Sequence, residues 1–72
     1  MTELVKYMVT ALVDSKDEVS VTEDGDVITV KVAKDDIGKV IGKQGRIIKS
    51  IRSVVKAASA KQGKNYSVEI DE

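Results

Sequence analysis

The strongest periodic pattern in this 72-residue chain lies near its carboxyl end, where apolar residues recur at the spacing of an α-helix. At about 100° per residue these residues span an arc of about 120° on one helix face. They are Ile47, Ile48, Ile51, Val54, Val55 and Ala58. The opposite side carries Arg46, Lys49, Arg52 and Lys56. The pattern predicts an amphipathic helix with an apolar face toward a core and a basic outer face.

The residues before this helix predict another helix and a β-hairpin. Thr2 is placed to cap the first helix, with Glu3 in its first turn. Its apolar positions recur at spacings of three and four, and they are Leu4, Val5, Met8, Ala11 and Leu12. Two β-branched alternating stretches follow, around Val19–Val21 and Val27–Val32. Asp24-Gly25 between them favours a tight turn, so we expect two antiparallel strands.

A short helix over Ile37–Ile41 comes next, with Asp35 or Asp36 as its cap and Gly42 at its end. Beyond the long helix, Tyr66, Val68 and Ile70 alternate with polar residues as a closing strand. The predicted class is α+β in the order α-β-β-α-α-β. The last strand joins the edge of the hairpin, and all three helices pack on one face of a three-stranded sheet. We expect one domain over residues 1–72.

Composition excludes several classes of function. The chain has no Cys and no His, which removes thiol nucleophiles, imidazole bases and the commonest zinc ligands. We therefore expect no enzyme, no metal site and no cofactor. The acidic residues lack the spacing of a calcium-binding loop. The chain has no secretory leader pattern and no long apolar run, so we expect a soluble, cytoplasmic protein without membrane contact.

The formal net charge is zero, but the charges are segregated along the chain. Residues 1–36 hold four lysines and nine acids, a balance of −5. Residues 37–64 hold eight basic residues and no acid, a balance of +8, and the remainder carries −3. Segregation of this kind is typical of a surface that binds a polyanion. A solvated, lysine-rich helix face is the other interpretation, and charge alone does not decide between them.

The connection Gly42-Lys43-Gln44-Gly45 lies at the centre of the basic stretch, between the two later helices. Glycines without Cβ allow a polyanion backbone to approach closely. The second helix begins at the same place, so its free N–H groups and positive dipole end favour a phosphate there. Lys43, Arg46 and Lys49 add positive charge. Gly38 and Gly42 with Lys43 do not match a P-loop, which needs four residues between its glycines and a Ser or Thr after the lysine.

The residues around this loop resemble a known family. Val40-Ile41-Gly42-Lys43-Gln44-Gly45-Arg46-Ile47-Ile48 resembles the signature of KH domains, whose GXXG loop holds nucleic-acid backbone. The element order looks like the type II form of that domain. Nearly the whole chain is similar to the small, single-domain bacterial KH proteins of the KhpA family, and the segments that carry the likeness are 12–14, 17–19, 36–47 and 51–58.

The resemblance implies that the protein binds single-stranded RNA, with the loop clamping the backbone of about four nucleotides. It implies backbone contacts at Gly42, Lys43, Gln44 and Gly45, and further phosphate attraction from Arg46, Lys49 and Lys39. It also implies an apolar groove formed by Val40, Ile41 and Ile48, with Val30 or Val32. The corresponding roles are a post-transcriptional regulator or an RNA chaperone.

Two functions from different classes remain open. The first is an RNA-binding module that works through the loop. The second is a KH-shaped interaction module that assembles with itself or with another KH protein. The family resemblance implies a homodimer and a possible heterodimer with a larger KhpB (Jag)-type protein, and a core as small as this one suits such association. The intact loop, with Lys43 between its glycines, favours RNA binding.

Overall fold

The computed structural model describes residues 1–71, and it has the predicted order α-β-β-α-α-β. The helices and strands are α1 (Thr2–Thr10), β1 (Ser20–Asp24), β2 (Val27–Lys31), α2 (Ile37–Ile41), α3 (Arg46–Ala60) and β3 (Ser67–Ile70). Single 3₁₀ turns precede β1, α2 and α3. Within the described residues, no helix is long and apolar enough to cross a membrane.

The three strands form one mixed sheet in the order β1-β2-β3. β1 and β2 are antiparallel, with Asp24 opposite Val27. The turn residues are therefore Gly25-Asp26, one position later than the predicted Asp24-Gly25. Gly25 takes a φ of 60°, as the first central position of a primed hairpin turn requires. β3 then lies parallel to β2, after the crossover through α2 and α3.

One face of the sheet is buried and the other faces solvent. Ile28, Val30 and Val68 lie on the buried face. A row across the opposite face consists of Thr22, Thr29 and Glu69, of which only Thr29 is half-buried. Buried residues of all three helices join the same apolar cluster as the inner face. The helices thus cover one side of the sheet, as predicted, and the fold is α+β.

The set of buried residues on α3 differs from the predicted apolar face. Ile48, Ile51 and Val55 are buried as expected, and Ser59 continues their row. Its hydroxyl donates a hydrogen bond to the Lys56 carbonyl at 3.1 Å, which satisfies the buried oxygen. Val54 was predicted to face the core, but 44% of its surface is exposed. The centre of the buried face is therefore rotated away from Val54.

α1 packs through Val5 and Val9, both fully buried. The predicted cap at Thr2 is wrong, because Met1 occupies the N-cap position and Thr2 already lies in the helix. At the other end, the Lys16 ammonium donates to the carbonyls of Thr10 and Val13 at 2.9 and 3.1 Å. A cation at the carboxyl end of a helix satisfies open carbonyls and complements the dipole.

Candidate nucleic-acid interface

The loop between α2 and α3 depends on glycine at its first position. Gly42 has a φ of 78° and a ψ of 175°, a region that only glycine occupies without strain. Its N–H donates to the Gly38 carbonyl at 2.8 Å and closes α2. A Cβ at Gly42 would lie 2.5 Å from Cγ1 of Ile47. Both the backbone angles and the space therefore require glycine here.

The rest of the loop presents its side chains to solvent. Lys43 and Gln44 are exposed, and Gln44 is the only non-glycine residue with positive φ (58°) within residues 1–71. The Arg46 guanidinium donates to the Gln44 side-chain oxygen at 3.4 Å. Gly45 continues the left-handed backbone, with a φ of 73°. The loop is thus a tight, left-handed turn that projects Lys43 outward.

α3 starts directly after this turn and has no side-chain cap. Gly45 occupies the N-cap position and offers no side-chain acceptor, and the first turn of the helix contains no acid. A 15-residue helix carries a partial positive charge at its amino end and leaves N–H groups of its first turn open. The helix therefore presents open donors and positive potential beside the two loop glycines.

A groove runs beside the loop, between the two helices and the free edge of β3. Its lining consists of Ile41, Ile48, Arg52, Glu69 and Ile70. Ile41 and Ile48 are predicted groove residues, and the structure places both there. The groove has an apolar floor, with one cation and one carboxylate at its rim.

The backbone of β3 orients its outer edge toward this groove. The N–H groups of Ser67 and Asp71 donate to carbonyls of the hairpin at 2.7 and 2.8 Å. Because backbone groups alternate along a strand, those of Val68 and Ile70 point away from the sheet. The Val68 carbonyl accepts the Arg52 Nε–H at 3.2 Å, which fixes the guanidinium at the groove wall. The backbone groups of Ile70 remain on the open edge.

The structure places the other predicted groove residues in the core. Val40 and Val30 have no exposed surface, and Val32 is 7% exposed. All three belong to the apolar core cluster, and none of them is among the residues that line the groove. A role for these valines in binding bases stays a prediction.

Lys39 is predicted to attract phosphate, but in the structure it is already paired. Its ammonium contacts the carboxylate of Asp14 and lies 3.3 Å from that of Asp36. The hydrogen bond to Asp14 is the main reason that the pKa of Lys39 is raised. Two carboxylates offset its charge, so Lys39 adds little to the positive field of the loop. The exposed cations Lys43, Arg46 and Lys49 form no salt bridge within residues 1–71.

Asp36 occupies the N-cap position of α2, but its side chain does not cap that helix. The carboxylate is buried and accepts the Ser15 N–H at 3.0 Å. This hydrogen bond is the main reason that the pKa of Asp36 is lowered, and Lys39 lowers it further. The predicted capping role is therefore replaced by a tether that joins the α1–β1 connection to the helix leading into the loop.

Sequence reasoning did not place Arg52, Glu69 and Ile70 at the site. Arg52 belongs to the predicted basic face, and Ile70 to the predicted last strand. The sequence does not indicate which edge of the sheet lies beside the loop. In the structure β3 pairs with β2, and this pairing brings Glu69 and Ile70 to the groove.

Comparison with known proteins adds a family to this geometry. The family description "KhpA/KhpB, KH domain" matches residues 2–70. The chain is 53% identical to the RNA-binding protein KhpA of Caldanaerobacter subterraneus subsp. tengcongensis, over 97% of this chain and 99% of that protein. It is 46% identical to the RNA-binding protein KhpA of Listeria monocytogenes over the full length of both. The protein of the same name from Borreliella burgdorferi is 36% identical, over 94% of this chain and 88% of its own.

Proposed function

Because the chain belongs to the KhpA/KhpB KH-domain family, we propose that it is an RNA-binding protein that holds single-stranded RNA at Gly42–Gly45. One observation carries the proposal: a tight glycine loop meets the uncapped start of α3. A phosphate placed there accepts hydrogen bonds from backbone N–H groups and lies at the positive end of the helix dipole. Sequence-independent contacts of this type suit a backbone clamp.

Side chains around the loop extend its positive field. Lys43, Arg46 and Lys49 are exposed and form no salt bridge in the described part of the chain. Each of them is therefore available for a charge-assisted hydrogen bond to a phosphate oxygen. Lys39 acts differently in this proposal, because its pairing with Asp14 and Asp36 fixes α2 in place.

The groove beside the loop is suited to the bases of the same strand. Ile41, Ile48 and Ile70 offer an apolar floor on which a base packs, and the open edge of β3 offers backbone donors and acceptors. The donors of Arg52 at the wall and the carboxylate of Glu69 at the rim are available to polar base edges. We propose that the chain forms one KH domain and that it binds RNA here without catalysing a reaction. In this proposal the protein acts in the cytoplasm as a post-transcriptional regulator or an RNA chaperone.

The first test replaces the exposed side chains of the loop and keeps both glycines. We expect Lys43→Asp with Gln44→Asp to weaken binding of short single-stranded RNA by about tenfold or more, because new negative charge faces the phosphates. Fluorescence anisotropy measures the affinity, and circular dichroism shows that the variant is folded. For the wild type, about four phosphate contacts predict a log–log salt slope of roughly −3.

A matched control separates the position of the charge from its amount. Thr2→Asp with Lys6→Asp also changes the net charge by −3, at the start of α1 and outside the groove. We expect this control to bind nearly as well as the wild type. Equal loss in both variants would show general repulsion and no clamp. Absence of binding by the wild type at low salt would reject the proposed function.

A second candidate function, assembly with another KH chain, is favoured by the exposed flank of α3. Val54 is 44% exposed, and Ala57, Ala58 and Lys61 lie beside it. We propose that this apolar flank pairs with a second copy of the chain or with a KhpB (Jag)-type protein. Dimerisation and RNA binding are compatible, because a dimer links two weak RNA contacts.

A further inference from the structure

The seam between α3 and β3 continues beyond the groove. A second cavity begins where the groove ends, and the two cavities share Arg52 and Glu69. From there it extends past Lys56 on the helix and along Tyr66 and Ser67 at the start of the strand. A strand of RNA that leaves the groove along β3 therefore enters this cavity directly.

The positive charges along the seam lie on its helix side. Lys49, Arg52 and Lys56 are spaced by three and four residues, so they form one row along α3. Lys56 is exposed and forms no salt bridge within residues 1–71. Arg52 uses its Nε–H on the Val68 carbonyl, and its other guanidinium N–H groups have no hydrogen-bond partner among the described residues. The helix wall thus offers two cations for phosphate.

The strand side of the cavity is suited to a base. Tyr66 is buried, and its hydroxyl donates to the Glu23 carboxylate at 3.2 Å and accepts from the Lys64 ammonium at 3.3 Å. These bonds occupy the polar end of the side chain, and Tyr66, Ser67 and Val68 line the strand side of the cavity. Glu69 repels phosphate on this side and accepts hydrogen bonds from exocyclic amino groups of bases.

From this arrangement we infer that the α3–β3 seam is a second nucleotide site, which extends the RNA path from the groove toward Lys56 and Tyr66. The inference rests on the proposed function, since it concerns the same strand of RNA. It assigns the next phosphate to Arg52 and Lys56, and the next base to the floor between Tyr66 and Glu69. Strands longer than about four nucleotides should therefore gain affinity through direct contacts.

The test compares RNAs of four and eight nucleotides with wild type, Lys56→Ala and Lys6→Ala. Lys6 is an exposed lysine of α1 and lines neither cavity of the seam. The longer RNA offers about five registers to a four-nucleotide site, so about fivefold of its gain is statistical and common to all proteins. We expect Lys56→Ala to weaken binding of the longer RNA about three- to tenfold and to reduce the salt slope by about 0.7.

The same comparison separates the two proposals. With Lys56→Ala, affinity for the four-nucleotide RNA should stay within about twofold of wild type, and Lys6→Ala should match wild type for both lengths. If Lys56→Ala weakens both RNAs equally, or neither, the second site is rejected and the loop clamp stands. If the four-nucleotide RNA does not bind to the wild type under low salt, the proposed function itself fails.

Discussion

Gly42 is the residue on which the shape of the binding loop depends most directly. Its φ of 78° and ψ of 175° end α2, and its missing Cβ leaves room for Ile47. Ile47 is the second residue of α3, so a Cβ at position 42 would clash with a side chain in the first turn of that helix. A substitution at Gly42 therefore combines backbone strain with a steric clash at the site proposed for phosphate.

We expect Gly42→Ala to lower the free energy of unfolding by more than Gly63→Ala does. Gly63 has a similar φ of 71°, but a Cβ there meets nothing within 4 Å. The backbone conformation costs an alanine about 1–2 kcal/mol at Gly63 and about 1–3 kcal/mol at Gly42, whose ψ of 175° lies outside the left-handed helical region. The contact with Ile47 adds about 1–3 kcal/mol at Gly42 alone. Urea denaturation of both variants measures the difference, and equal destabilisation would contradict the clash.

The predictions that differ from the structure mostly concern the burial of single residues. The helical period of α3 identifies its apolar side, but Val54 lies at the margin of that side and the neighbouring elements leave it uncovered. Ser59 is polar by type, yet its hydroxyl finds a carbonyl within its own helix, so it fits the core. The loop residues are easier to predict, because glycines and lysine in this order leave few structural alternatives.

At the scale of elements, α2 is a helix of five residues that its own hydrogen bonds stabilise only weakly. Val40 anchors it from below, and Asp36 joins its beginning to the α1–β1 connection through the Ser15 N–H. Lys39 adds a second link, to Asp14 in the same connection. The position of the binding loop therefore depends on a segment more than twenty residues earlier in the chain.

The tether predicts a pH dependence. The pKa of Asp36 lies below its ordinary value of 3.8, so its ionised carboxylate stabilises the fold above that pH. This stabilisation is lost as the pH falls through the lowered pKa of the folded state. We expect Asp36→Asn to unfold at lower urea concentration than wild type at neutral pH, with a difference that shrinks as the pH falls below 3.8.

Asp35→Asn is the matched control for this experiment, since Asp35 is the exposed neighbour in the same turn. We expect its stability to follow the wild type across the pH range. A constant difference between wild type and Asp36→Asn at every pH would show that the carboxylate charge is not the stabilising feature.

Sequence patterns predict the order and type of the helices and strands, but they do not predict the side-chain hydrogen bonds that join these elements. Alternation predicts β1, β2 and β3, and helical period predicts α1 and α3. The cap predicted at Thr2 is wrong because Met1 takes the N-cap position and Thr2 already lies in the helix. The Asp36 side chain does not cap α2 because it accepts the N–H of the distant Ser15. An acid before a short helix has the same sequence signature whether it caps that helix or binds a distant N–H.

Over the whole molecule, two surfaces of α3 serve the two proposed interactions. At about 100° per residue, Val54 and Lys56 lie about 160° apart around the helix. A partner docked on the Val54 flank therefore leaves the cations beside β3 free. In a symmetric dimer the two RNA paths then lie on outer sides, where one long strand is able to meet both.

We expect Val54→Asp to shift the protein from dimer to monomer, because a charge on the apolar flank is costly to bury. Sedimentation equilibrium measures the mass. Tyr7→Asp is the control, since Tyr7 is 78% exposed on α1 and lies outside this flank. A wild type that stays monomeric, or a Val54→Asp variant with the mass of the wild type, would contradict the dimer.

The uncapped beginning of α3 has a further consequence for the kinetics of amide hydrogen exchange. In the free protein the open N–H groups that follow Arg46 have no side-chain acceptor, so their hydrogens should exchange with solvent rapidly. A bound phosphate takes the place of the missing cap and protects them. The bound RNA would then act as the N-cap of α3. Slower amide exchange in the first turn of that helix would mark the RNA-bound state.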